Sequence, residues 1–182
     1  MKILKRLLII VVVIAVLGFA LGAYMGLVFP LRVYEQKMGP YTVAYESFVG
    51  PYAQTGPVFA KVYEALKAEG IETTRGLGIY YDDPAKVAAE KLRSDCGVII
   101  EPKDQAKFNR VRRKFKVKWL PVRDSIVVEF PIRNAMSYML GPIKGYPALM
   151  KHAEEKGYKF GMPYELYDEG QKKVFFVMEI VK

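Results

Sequence analysis

FAKVYEALKAEGIE at residues 59–72 and YPALMKHAEEKGYK at residues 146–159 align without a gap, and the reading of the fold starts from that pair. Both space their apolar residues as an amphipathic helix does, and both end in glycine, Gly70 and Gly157, where a left-handed C-cap is favoured. A Gly-Pro pair precedes each, at Gly50 and Pro51 and at Gly141 and Pro142. Further on, IYYDD at 79–83 matches ELYDE at 165–169, which makes Ile79 the expected counterpart of Glu165.

Outward from the two helices lie stretches rich in β-branched and aromatic residues, which read as strands. TVAYESFV precedes the first helix, and LGIYYD and CGVIIE follow it. SIVVEFPI, continued by AMSYML, precedes the second, and PYELYD and VFFVMEIV follow it. Asp82, Asp83 and Pro84 in one copy, and Asp168, Glu169 and Gly170 in the other, supply the turns between the last strands. The pattern is an imperfect internal duplication. It predicts an α+β domain in which two pseudo-symmetric β-α-β-β units, about 39–101 and 121–182, form an antiparallel sheet with helices and a central cleft.

Ahead of this domain, residues 7–31 contain no Asp, Glu, Lys or Arg and are long enough to cross a bilayer as a helix. The expected division is therefore an anchor at 1–31 and a folded domain at 32–182. Lys2, Lys5 and Arg6 precede the apolar run and only Arg32 follows closely, which predicts a cytoplasmic N-terminus and an extracytoplasmic domain. A cleaved signal peptide ending near Ala20 and Gly22 is the rival reading; the apolar run continues past that point to Phe29, which favours a retained anchor.

The whole chain has 52% hydrophobic and 26% charged residues, and because the apolar excess is concentrated at its start, the rest reads as globular rather than disordered or polytopic. Cys96 has no partner for an internal disulfide and reads as a small buried residue. His152 is the single histidine, so neither a Cys/His pair nor a histidine-rich metal site is expected. Residues 103–118, between the units, carry eight Lys or Arg against Asp104 alone, and the remainder of the domain is nearly neutral. A solvated basic face is the plain reading of this linker; contact with anionic lipid ranks next and nucleic acid last. WLPV at 119–122 fits an aromatic-x-x-aliphatic adaptor pattern but follows the basic KFKVK, so it is read as a core strand.

The duplicated order, with YESFVGPYAQTGPVF, GLGIYYDDP and MPYELYDEG, resembles the gyrase-inhibitor-like family, the effector-binding domain also found in multidrug-sensing transcription regulators. The likeness covers residues 43–181. VAYESFVGPYAQTGPVF, IYYDDP, KLRSDCG and VVEFP, following a membrane helix, are also similar to a membrane-anchored animal type that acts in autophagy of the endoplasmic reticulum. That type carries its adaptor motif in a long acidic tail with no counterpart here, and its receptor role is not carried over. No segment remains for a helix-turn-helix.

Glu165 is the polar residue that stands out, because it shares a strand face with Tyr167 where the first copy offers an apolar residue. The resemblance implies a ligand-binding glutamate in this E-x-Y strand. Tyr52, Tyr81, Tyr146, Trp119 and Tyr167 are candidates for aromatic walls. The expected function is a membrane-tethered domain binding apolar or cationic aromatic small molecules, with no cofactor. Two rivals stay open. One is a hydrolase of strained electrophiles, which the resemblance suggests, with Glu165 as general base and Tyr167 as hydrogen-bond donor. The other is an adaptor that recruits a protein partner to the membrane. The SOUL-type haem binders are similar in duplicated architecture, but His152 reads as a surface histidine.

Overall fold

A computed structural model of the chain describes residues 2–181. Four helices are present: α1 at Lys2–Tyr24, α2 at Gly56–Lys67, α3 at Gln105–Val111 and α4 at Ser137–Lys156. Eight strands follow in chain order: β1 Arg32–Met38, β2 Tyr41–Val49, β3 Arg75–Tyr80, β4 Arg93–Ile100, β5 Lys116–Leu120, β6 Arg123–Pro131, β7 Lys159–Asp168 and β8 Lys173–Val181. They form one antiparallel sheet of order β1-β6-β8-β7-β3-β4-β2-β5. The expected α+β class is what is found. Each half runs strand-strand-helix-strand-strand, β1-β2-α2-β3-β4 and β5-β6-α4-β7-β8, with α3 between them, and the halves meet where β3 pairs with β7.

Chain connectivity forces this sheet to roll. β1 lies at one end of the order and β2 six strands away, yet only Gly39 and Pro40 join them. A flat sheet would separate these strands by roughly 29 Å, whereas a two-residue link spans at most ~11 Å. β5 and β6 are joined across the same gap by Pro121 and Val122. The two links touch: a Cβ at Gly39, whose φ is +97°, would meet the Pro121 carbonyl at 2.7 Å. The edges are thereby drawn together, and the inner face encloses a core built from strands alone, with Val43, Leu77, Ile99, Val127, Leu166 and Val177 buried in it. Because both faces are covered, β6 and β8 read as near-continuous apolar runs.

The outer face carries the helices in two separate clusters. α4 packs on Ile126, Val128, Phe130, Phe176 and Met178, and α2 packs with Phe108 of α3 on Ala44, Val98 and Ile100. α4 approaches β8 at two glycines, Gly141 and Gly145. A Cβ on Gly145 would lie 2.4 Å from the ring of Phe176, which is fully buried. Gly145→Ala is therefore expected to destabilise the protein by about 1–3 kcal/mol, the usual range for overpacking, read as a lower urea midpoint at unchanged slope.

Three expectations need correction. AMSYML is not strand: after Pro131 the Ser137 hydroxyl accepts the N–H of Arg133 and of Asn134, and the chain turns into α4, which takes in Gly141 and Pro142. The Gly-Pro pairs are thus not equivalent, since Gly50 and Pro51 lie outside α2. The linker 103–118 is not a bare linker either. Phe108 and Phe115 anchor it to the α2 cluster, and Lys107, Lys114 and Lys118 are paired with Asp104, Glu69 and Asp95. Finally, the N-terminal helix stops at Tyr24 instead of continuing to Phe29; Met25 is buried and Gly26 turns with φ +76°. Gly157 caps α4 in the left-handed conformation, as its position after the apolar periodicity predicts.

Candidate functional site

Between the α2 and α4 clusters, one row of residues crosses the outer face of the central strands. Register pairing places Cys96 beside Gly78, Gly78 beside Glu165, and Glu165 beside Phe176. All four side-chain positions therefore point toward the helices. Gly78 is the step that makes room: a Cβ there would stand 2.9 Å from Tyr80 and 3.1 Å from Phe59, so its absence lets both rings lie over the strand beside Glu165.

Glu165 is only 4% exposed. Tyr146, from α4, donates its hydroxyl to Oε1 at 2.8 Å, and Tyr167, two residues along β7, donates to Oε2 at 2.6 Å. The Tyr167 proton is thus committed, so Tyr80, 2.8 Å from the Tyr167 oxygen, is the donor in that contact. Rings complete the enclosure: Phe59 and Tyr138 pack on Tyr167 at 5.4 and 5.7 Å between centroids, and Tyr52 packs on Tyr80 at 4.8 Å.

No Lys, Arg or His among the described residues bonds this carboxylate; its two partners are neutral phenols. Burial dominates over their hydrogen bonds and pushes its pKa up to about 7. Burial likewise raises the phenols of Tyr80, Tyr146 and Tyr167, so they remain donors at any physiological pH. Cys96, at the end of the row, has its thiol pushed up to about 11 by burial, which makes it an inert packing residue as expected. The arrangement accepts either a proton or a cation at neutral pH. Two surface recesses lie elsewhere, beside Thr73 and Glu101 and between Phe29 and Phe130. Rings cover Glu165 from the solvent side, and Tyr138, 39% exposed, is the outermost on the α4 side.

Of the residues singled out from sequence, Glu165, Tyr167 and Tyr146 are brought together, and Tyr52 stands one ring further out, its hydroxyl on the carbonyl of Asp82. Tyr81 and Trp119 are not there. Tyr81 faces the inside of the rolled sheet, where it donates to Asp95 and meets Lys118. Trp119 sits on edge strand β5, 65% exposed, so WLPV is not a core strand. Ile79, the expected counterpart of Glu165, lies in the inner core with Leu166. The residue opposite Glu165 is Gly78. Ile79 and Glu165 thus lie on opposite faces of the sheet, since in a strand one position exchanges the faces. Matching Ile79 to Glu165 hid Tyr80; Phe59 and Tyr138 carried no signal apart from lying on predicted helical or apolar stretches. His152 is on the surface of α4, 2.9 Å from Glu35.

The rolled antiparallel sheet with helices on its outer face is shared with solved structures. The chain shares that fold with the EcmrR C-terminal domain, at a TM-score of 0.54 and 14% identity over 85% of this chain and 99% of that one. It also superposes on EcmrR in a complex with DNA, at a TM-score of 0.56 and 14% identity, covering 100% of this chain and 69% of that one. At this identity the likeness shows the fold. By sequence, the chain is 26% identical over 147 residues to the testis-expressed protein 264 homolog of Mus musculus, covering 78% of this chain and 45% of that protein. It spans less than half the length of that relative. No protein-family profile matches the chain.

Proposed function

We propose that this is a membrane-tethered domain that captures small apolar or cationic aromatic molecules, with Glu165 as the counter-charge for a cation. The observation that carries the proposal is a carboxylate buried among phenols and rings with no cation beside it. An isolated buried charge is costly, and a bound cation relieves that cost while stacking on the rings. Binding of an aryl trimethylammonium to the full chain in nonionic detergent, followed by calorimetry and by the shift in melting temperature, tests it. A panel of such cations that neither binds nor shifts the transition would overturn it.

The tether is α1, a 22-residue candidate span at Ile3–Tyr24 near the N-terminus that carries no charged residue after Arg6. Length and composition suit a membrane span, and a signal sequence passes the same test; resistance to carbonate extraction with residues 1–24 retained distinguishes the two. The basic flank favours an extracytoplasmic domain. Protease added outside intact cells should then remove it, and protection until lysis would reverse the orientation.

Residues off the cleft provide a control. Trp119→Ala and Tyr81→Phe are expected to change the dissociation constant for the cation by less than about twofold, since each lies away from Glu165. A larger loss in either would move the binding site to the β5 edge or the interior of the sheet.

A second reading rests on the pKa of about 7, which is the range of a general base. Glu165 would take a proton from water as the water oxygen bonds to a strained electrophilic carbon; the bond to the leaving atom breaks, and that atom takes the proton back from Glu165, which regenerates the carboxylate. Loss of turnover in Glu165→Gln with retained binding of a neutral substrate would favour this reading over capture.

A further inference from the structure

The outward side of α4 is apolar along about its first four turns. Met136, Met139, Ile143, Pro147 and Met150 recur at helical spacing and are all exposed, Met139 and Ile143 at 68%. Between residues 136 and 150 the single charged group is Lys144, and its ammonium is turned away to the carbonyls of Gly26, Leu27 and Phe29, at 2.7–3.2 Å. A stripe of this size without charge marks a contact surface rather than a solvated face.

What covers it follows from where it is held. The three carbonyls that Lys144 binds come immediately after the apolar helix, which ends at Tyr24. Eleven residues before Lys144, Arg133 packs its guanidinium on the ring of Tyr24 at 5.6 Å, and next to it the Asn134 amide meets the sulfur of Met25. Both ends of the stretch 133–144 are thus pinned level with the end of the span. Leu27, Val28 and Phe29 add exposed apolar groups at the same level.

We propose that α4 lies along the membrane surface, with Met136, Met139, Ile143 and Met150 immersed at the boundary of headgroups and acyl chains. This rests on the reading of α1 as a retained anchor. It places Tyr138 and Tyr146, which cover Glu165 from the same helix, at the lipid surface, where lipophilic molecules are concentrated.

Single-cysteine labelling of the full chain in phosphatidylcholine vesicles tests this, because the buried Cys96 thiol does not compete for label. Bimane placed at Met139→Cys and Ile143→Cys is expected to be quenched at least about twofold by lipids brominated near the headgroup, an interfacial helix sitting ~5–10 Å deep. Glu154→Cys, exposed near the end of α4, should be unaffected, and Val12→Cys, mid-span, should respond to deep bromines. Quenching at Val12 without quenching at Met139 and Ile143 would overturn the proposal while leaving the anchor intact. No quenching at Val12 would remove the anchor and this proposal with it. Disulfide cross-linking of Met139→Cys between chains, equal in detergent and vesicles and without quenching, would assign the stripe to a second copy and overturn it as well.

Discussion

Above pH 7, the Glu165→Gln protein is expected to be more stable than the native chain by about 3 kcal/mol, and the difference should vanish below about pH 4.5. The sign follows from the two pKa values. Glu165 titrates near 7 when folded and near 4.5 when exposed, because burial disfavours its charge. Between these values the folded state binds more protons than the unfolded one, so native stability falls as pH rises, and the full penalty is present once the folded carboxyl is ionised. Gln keeps the shape and carries no charge; its amide oxygen accepts from one of the two phenols, and its amide N–H donates to the hydroxyl oxygen of the other, which turns its own proton aside. Urea unfolding of both proteins in nonionic detergent from pH 4 to 9 measures the effect. A pH-independent gap, or a Gln variant weaker at pH 8, would mean that the carboxylate is already compensated within the protein, and the case for a cationic ligand would go with it.

The same substitution should lower the affinity for an aryl trimethylammonium by at least about tenfold at pH 8, because it removes a desolvated charge pair while leaving the aromatic contacts in place. The neutral tert-butyl isostere should bind both proteins alike. Only the ionised carboxylate pairs with the cation, so native affinity is expected to rise through pH 7 and to fall about tenfold per pH unit well below it. The Gln variant should show no such dependence. Tyr167→Phe keeps the ring and removes the hydrogen bond to Oε2, so the pH midpoint for cation binding should move upward. Equal losses for cation and isostere in Glu165→Gln would indicate general damage to the cleft. No loss for either would leave Glu165 a buried structural acid.

Taken together, the two expectations describe a position held against stability. A residue whose removal strengthens the fold and weakens binding is the usual mark of a functional site. Gly78 has a related character. It leaves its own strand without a side chain so that Tyr80 and Phe59 can lie over the row beside the carboxylate.

The sequence by itself determined the units of this protein. The 3.6-residue periodicity and terminal glycine located α2 and α4, the apolar runs located six of the eight strands, and Glu165 with Tyr167 stood out because alternation puts them on one face. Those signals are local, carried by residues within a few positions of one another. The rolling of the sheet, the exposure of Trp119 and the choice of Tyr80 over Tyr81 were decided only by the tertiary structure. β1 and β5 look like any short polar strand until the two-residue links at Gly39-Pro40 and Pro121-Val122 bind both edges of the sheet together. The pairing of Gly78 with Glu165 depends on a register between strands nearly ninety residues apart, and with a side-chain period of two that register, not the local pattern, sends Tyr81 to the inside of the sheet and Tyr80 to the side of the carboxylate.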